Sequence, residues 1–261
     1  MPHQEIIAVI PARYASQRFP GKLLQPILGS SVLQRTYESV RKCPQIDKIF
    51  IATDDERIAH HVQQFGGKAL MTSPHCATGT DRIVEAICNN QDLFAETDII
   101  VNVQGDEPCI GSENITALIE TLKQYPHELM ATVVTRIDDP ADILSPSVVK
   151  CVFDRNHHAL YFSRSPIPGL KPGTEKDYPI YSQLPFFKHV GIYAFRKEFL
   201  LRYSAIEMTR LQQFEDLEQL KVLESGYNIK VVEGYASTPH VDIPEDIQKV
   251  TQWLCNQNIS L

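Results

Sequence analysis

No run of about 18 or more apolar residues occurs in this 261-residue sequence, which excludes a membrane-spanning helix of ordinary length. The opening MPHQEIIAVIPAR has one short apolar run ending at Pro11 and Arg13, without a basic leader or a small-residue cleavage site. A secretory signal peptide is therefore not expected. Cys43, Cys76, Cys88, Cys109, Cys151 and Cys255 form no CxxC pair and no zinc-ligand spacing. They read as reduced thiols of a cytoplasmic protein. The pairs His60–His61 and His157–His158 lack partners at metal-site spacing and read as structural or surface residues. Basic residues are in deficit, 25 Lys and Arg against 32 Asp and Glu, for a formal charge of −7. That balance argues against a nucleic-acid partner, which needs a clustered positive face. A small anionic substrate needs only a few well-placed cations. Internal repeats, low-complexity tracts and linkers between independent domains are also missing.

What is present suits one α/β unit: 43% hydrophobic and 22% charged residues over a length that buries a substantial core. The first half alternates strand-like and helix-like segments. Residues 5–10 and 46–52 read as buried strands, and 32–42 as a helix with Leu33, Tyr37 and Val40 on one face. Asp54-Asp55-Glu56 opens a second helix with the face Ile58, Ala59, Val62 and Phe65, stopped by Gly66-Gly67. A short strand at 68–71 precedes a helix after Thr80 carrying Ile83, Val84 and Ile87. The strand at 97–103 leads to a helix that Ser112 is expected to cap, with Ile115, Leu118, Ile119 and Leu122 inward. Such alternation implies a mostly parallel sheet covered on both faces. Beyond residue 129 the pattern becomes strand-rich, at 129–136, 148–153, 158–164 and 186–195, with a Pro/Gly-rich loop at 165–185. Helices are expected again near Asp216 and Pro244, the first placing Leu217, Leu220 and Leu223 inward.

Ligands of parallel sheets sit at the carboxyl ends of strands, so polar motifs that directly follow strands are the first candidates. Two do so. Residues 11–22, PARYASQRFPGK, bring Arg13, Arg18 and Lys22 into one loop, the several cations that a nucleoside triphosphate requires. The loop is no Walker P-loop, since Ser16 stands where its first glycine belongs and Leu23 follows Lys22; no GxGxxG is present either. A solvated basic loop is the plainer alternative. The second motif, Gln104-Gly105-Asp106-Glu107-Pro108, offers Asp106 as a magnesium ligand or else forms a simple turn. Asp242, ahead of Pro244, suits either a metal site or a helix start.

The string PARYASQRFPGK resembles the opening loop of the CMP-Kdo synthetases, members of the sugar nucleotidyltransferases. The resemblance continues through HCATGTDR (75–82), VNVQGDEP (101–108), LYFSR (160–164), KHVGIY (188–193), LEQL (217–220) and VDIPED (241–246). It covers nearly the whole chain in order. It implies a Rossmann-like three-layer αβα fold with a predominantly parallel mixed sheet. It further implies one domain over 1–261, in which about 154–195 form a strand/loop dimerisation arm, and hence a homodimer.

For the site, the resemblance implies that Arg13, Arg18 and Lys22 hold the triphosphate of CTP and that Asp106 and Asp242 hold Mg2+. Thr78, Gly79 and Arg82 would lie against the cytosine; the family's usual SGTER reads TGTDR here, with hydroxyl and charge kept. Gln104, Arg164, His189, Tyr193, Glu218 and Gln219 would bind the acidic sugar, 3-deoxy-D-manno-octulosonate (Kdo). Taken singly, these read as a core His, a buried Tyr and a solvated helical Glu, while Arg164 could grip a carboxylate bidentately. The implied reaction is cytidylyl transfer to Kdo for lipopolysaccharide synthesis, with no membrane partner. The rivals are a cytidylyltransferase for sialic acid or a polyol phosphate, and a non-catalytic nucleotide sensor.

Overall fold

The computed structural model describes residues 5–16, 18–169, 186–235 and 238–259. The chain opens with β1 (Glu5–Ala12), buried from Ile6 onward. A small hairpin, β2 (Pro26–Ile27) and β3 (Ser30–Ser31), leads into α1 (Val32–Arg41), where Ser31 Oγ accepts from the backbone N–H of Gln34. β4 (Lys48–Thr53) and α2 (Glu56–Gln64) follow, and the Asp55 carboxylate caps α2 by accepting from Arg57 N. Next come β5 (Ala69–Met71), α3 (Gly79–Asn89), β6 (Thr97–Val103), α4 (Ser112–Gln124) and β7 (Met130–Arg136). Ser112 does not cap α4 as expected. It is the first helical residue, and Gly111 stands at the cap without a side chain to offer.

The second half supplies α5 (Pro140–Leu144), β8 (Lys150–Phe153), β9 (Ala159–Ser163), β10 (Phe187–Arg196) and α6 (Lys197–Tyr203). It ends with α7 (Arg210–Glu215), α8 (Leu220–Glu224), β11 (Lys230–Glu233) and α9 (Asp246–Ile259). The helix expected around Asp216 is broken there. Asp216 takes a left-handed conformation (φ 51°) that ends α7, so Leu217, Glu218 and Gln219 form a turn ahead of α8. Of the loop expected at 165–185, residues 170–185 lie outside the described residues.

The main sheet runs β11-β7-β10-β6-β1-β4-β5. Along that path the strands are parallel except β10, which lies antiparallel between β6 and β7; β8 pairs antiparallel with both β10 and β9. Alternate residues of β1 feed opposite cores. Ile6, Ala8 and Ile10 join Leu33 of α1 and Leu118 of α4; Ile7 and Val9 join Ile83 of α3 and Phe199 of α6. Helices therefore cover both faces, which explains why β1 reads as an unbroken apolar run. No helix of the described residues is long and apolar enough to cross a membrane.

One irregularity places the site. β10 pairs with β8 through Phe187 and Lys188, and with β6 through Ile192 to Arg196. Its register slips between Val190 and Tyr193. Between those two partners the ladder opens, and Gln104 enters beside Gly191, where an added Cβ would meet its Cγ at 3.7 Å.

Phe195, 1% exposed, packs between the rings of Tyr193 and Tyr203 (centroids 5.8 and 6.1 Å). Truncation by Phe195→Ala is expected to cost about 3–5 kcal/mol. Urea unfolding monitored by far-UV circular dichroism measures it, and a loss below about 1 kcal/mol would show that this core collapses onto the cavity.

Candidate active site

The loop after β1 is closed by its own backbone: the Tyr14 carbonyl accepts from Ser16 N and Gly21 N, both at 3.0 Å. Gly21 adopts φ +71°, and a Cβ there would stand 3.1 Å from the Tyr14 ring, so this turn needs glycine. The guanidinium of Arg57 lies over the other partner of that packing, 3.3 Å from the Tyr14 ring centroid. A 3-10 turn over Lys22–Leu24 then buries Leu23 and turns Lys22 inward, while Arg13 and Arg18 remain exposed.

Lys22 reaches two carboxylates from distant segments. Its Nζ lies 2.5 Å from Asp106 Oδ2 and 3.3 Å from Asp242 Oδ1, and it also donates to the Val241 carbonyl at 2.9 Å. Arg18 reaches Asp242 Oδ2 at 3.2 Å. Main-chain contacts hold the two acids in place: Val241 N donates to the Asp106 carbonyl (3.0 Å), and Asp246 Oδ2 accepts from Asp242 N (3.0 Å) and Ile243 N (3.1 Å). Asp246 opens α9, and Asp242 stands outside the helix. Gly105 permits the approach, since a Cβ there would lie 3.1 Å from the Pro11 carbonyl. The convergence of two carboxylate oxygens on one ammonium fits the oxygen donor set of a hard divalent cation that completes its shell with phosphate and water. Among the described residues no group of three or more His, Cys, Asp and Glu side chains is arranged to hold a metal, so protein ligands beyond these two are not supplied. Glu107, adjacent and buried, has its carboxyl pushed up to about 7, chiefly by burial and opposed by His240.

Two clefts meet at this acid pair. The smaller, about 600 Å³, is lined by Arg13, Lys22, Thr78, Gly79 and Arg82. Thr78 and Asp81 form a reciprocal capping box for α3, which is why TGTD serves locally as SGTE would. Arg82 is 4% exposed and anchored to Thr72 Oγ1 (2.6 Å) and Asp54 (3.2 Å). The wider cleft, about 920 Å³, is lined by His189, Tyr193, Glu218, Gln219, His240 and Trp253. Gln104, Asp106, Arg164 and Asp242 border both. Every residue the sequence singled out therefore lies on one of two adjoining clefts at the carboxyl edge of the sheet.

Arg164 spends three of its five N–H groups on carbonyls: Glu215 (2.7 Å), Pro146 (3.1 Å) and Asp216 (3.3 Å). Among the described residues, one N–H on each terminal nitrogen has no partner. The Thr132 hydroxyl donates to the Ile192 carbonyl (2.9 Å) and so accepts from His189 Nε2 (2.9 Å). Burial pushes the His189 imidazole down to about 3, so the ring is neutral, with its proton on Nε2 and Nδ1 as acceptor. Tyr193 OH donates to Gln219 Oε1 at 3.2 Å. Glu218 is no solvated helical residue: it sits in the turn, half-buried, and burial of its carboxyl group raises it.

A family model described as cytidylyltransferase matches residues 7–231. The 3-deoxy-manno-octulosonate cytidylyltransferase of Chlamydia abortus is 48% identical over 255 residues, 97% of this chain and 96% of that relative. This chain belongs to the 3-deoxy-manno-octulosonate cytidylyltransferase family. Its counterpart in Protochlamydia amoebophila is 46% identical over 257 residues, covering 98% and 97% of the two chains. Among solved structures, a CMP:2-keto-3-deoxy-manno-octonic acid synthetase complexed with CTP is similar at TM-score 0.87 and 38% identity, over 97% of this chain and 99% of that one. A 4-diphosphocytidyl-2C-methyl-D-erythritol synthase from Anaerococcus prevotii, 16% identical with TM-score 0.61 over 97% and 100% of the chains, shares the fold alone.

The sequence reading of this cytidylyltransferase missed several polar groups that the fold brings to the clefts or just behind them. His240 and Lys188 line the wider cleft, and buried Thr80, Asn102 and Lys150 stand close by. Lys150, 0% exposed, donates to the carbonyls of Ser145, Val148 and Arg164 and so anchors the Arg164 segment. A lysine within a strand gives no local signal of such a role.

The depressed His189 sets a pH dependence. An unfolded His protonates near 6.5 and the folded one only near 3, so its contribution is complete above about 6.5 and is lost as pH falls toward 3. Glu107, raised to about 7, works in the opposite direction by favouring the folded state on acidification. Subtracting the stability profile of His189→Gln from that of the wild type isolates the histidine. The difference, from urea midpoints between pH 7.5 and about 4.5, is expected to shrink steadily as pH falls; a flat difference would mean His189 titrates normally.

Proposed function

We propose that this chain catalyses CTP + Kdo → CMP-Kdo + pyrophosphate. The observation that carries the reading is the position of Asp106, Asp242, Arg18 and Lys22 on the border between a cation-lined cleft and a second polar cleft. That border is where the α-phosphate of CTP and an incoming hydroxyl would have to meet. The family relatives and the CTP-bound synthetase of similar fold support the same reaction.

In this reading Arg13, Arg18 and Lys22 bind the triphosphate oxygens and offset the charge that builds on the departing pyrophosphate. Thr78, Gly79 and Arg82 hold the cytosine side. Arg164 presents its two remaining terminal N–H groups to the sugar carboxylate, while neutral His189, Tyr193, Gln104, Glu218 and Gln219 orient the hydroxyls. The anomeric oxygen bonds to the α-phosphorus, the bond from that phosphorus to the β-phosphate bridge breaks, and the hydroxyl proton leaves to water. Positioning and fixed charge suffice, and no protein nucleophile is needed. Asp106 and Asp242 would hold Mg2+, which when bound supplies further positive charge at the triphosphate and eases loss of the hydroxyl proton. We also assign a cytoplasmic location, with all six cysteines unpaired, and a homodimer built through an arm spanning about 154–195. The product would serve lipopolysaccharide synthesis.

Pyrophosphate release from CTP, Mg2+ and Kdo tests the reaction. Release is expected with Kdo, not with sialic acid, and is expected to stop on adding EDTA. Folded protein that binds CTP yet releases nothing with Kdo would overturn the reading. Asp106→Asn and Lys22→Ala are each expected to lower turnover by about 10²–10³ with an unchanged circular dichroism spectrum. A variant within about threefold of wild type would remove that residue from the reaction.

A further inference from the structure

A buried hydrogen-bond relay joins the two clefts. Gln104 Nε2 donates to Asn102 Oδ1 (3.4 Å), Asn102 Nδ2 donates to Thr80 Oγ1 (3.3 Å), and Thr80 Oγ1 reaches Glu218 Oε1 (3.0 Å). Asn102 is 0% and Thr80 1% exposed, so water does not compete for the bond between them. The direction is determined by chemistry. An amide NH2 only donates, so the Thr80 oxygen accepts from Asn102 and sends its one proton to Glu218.

Thr80 lines neither cleft. Its neighbour Thr78 lines the smaller one and Gly79 borders both, while Glu218 and Gln219 line the wider one. Glu218 sits in a turn rather than a helix. Tyr203 OH holds the Glu218 carbonyl at 3.2 Å, and Thr80 holds one carboxyl oxygen. The other oxygen, Oε2, and Gln219 Nε2 are buried without a hydrogen-bond partner among the described residues. Buried polar atoms left open in this way belong where a ligand completes them.

We propose that Thr80 is a positioning residue that couples the two substrates. It aims the Glu218 carboxyl group at the acid sugar, and it transmits the seating of CTP against Thr78 and Gly79 to that group. The inference rests on the cytidylyl-transfer reading. A relay of packed, hydrogen-bonded side chains moves as a unit, so ordering one end favours the bound arrangement at the other.

The test compares Thr80→Val, which removes the hydroxyl at constant shape, with Thr80→Ser, which keeps it. Titration calorimetry measures Kd for Kdo with and without an unreactive CTP analogue carrying a methylene between the α- and β-phosphates. Steady-state kinetics supply KM and kcat. In the wild type the analogue is expected to tighten Kdo binding about fivefold or more. Thr80→Val is expected to abolish that enhancement and raise KM for Kdo about tenfold, with CTP affinity measured alone within about twofold of wild type. Thr80→Ser is expected to recover both. Adding Thr80→Val to Glu218→Gln should cost little beyond Glu218→Gln alone. Thr80→Ala carries the same expectation should the valine variant fold poorly.

A wild type without enhancement, a Thr80→Val protein that keeps it, or equal weakening of both substrates would each overturn the proposal. A purely structural hydroxyl would lower the melting temperature and leave the enhancement intact. Wild-type turnover of Kdo separates the two levels: where it is seen, an unaltered Thr80→Val defeats the coupling alone, and where it is not, the reaction itself is wrong and the coupling falls with it.

Discussion

Two carboxylates held close together repel, by about 4 kcal/mol at 4 Å for an effective dielectric near 20, unless a cation stands between them. Asp106 and Asp242 meet that condition through Lys22, which reaches both at 2.5 and 3.3 Å. Much of the architecture serves this meeting. β1 must end where a glycine-dependent turn can swing Lys22 inward, and a glycine, Gly105, must follow β6 so that the backbone leading to Asp106 can pass close to the Pro11 carbonyl. The segment before α9 must then stitch back through Val241 onto the Asp106 carbonyl. Three parts of the chain remote in sequence are thereby brought to one point on the carboxyl edge of the sheet.

The second constraint is the opening along β10. A strand that changes partner from β8 to β6 leaves a stretch without a neighbour on one side, and here Val190 and Gly191 occupy it. In an uninterrupted sheet those positions would carry ladder bonds and face packed neighbours. The interruption makes room for a polar cleft beside a hydrophobic core without leaving many buried backbone groups unpaired, because His189 N still donates to the Val149 carbonyl at 2.8 Å.

Much of this was legible in the sequence because much of it is local. The apolar runs of β1 and β6, the periodic faces of α1, α2 and α3, and polar motifs directly after strands all follow from periodicity and chain order. Lys22 and Asp106 could be singled out on that basis, and Asp242 once the family pattern was recognised. Long-range features could not be read. The insertion of β10 between β6 and β7 depends on pairings between remote segments. The cap of α4 fell to Gly111 rather than Ser112, a one-residue shift at a helix end that composition does not decide. Glu218 was assigned to a helix because leucine spacing across 217–223 suits one, yet the left-handed Asp216 makes it a turn. Thr80 looked like an ordinary residue of a helix start, since its partners, Asn102 and Glu218, are adjacent only in space.

The chain contains a single tryptophan, Trp253, and α9 places it on the wall of the wider cleft. Indole emission shifts with the polarity and water content around the ring, and here one fluorophore accounts for the whole tryptophan signal. The molecule therefore carries its own optical reporter. Light absorbed at the red edge of the protein band excites that wall selectively, so the filling and emptying of the cleft can be followed in real time without a label.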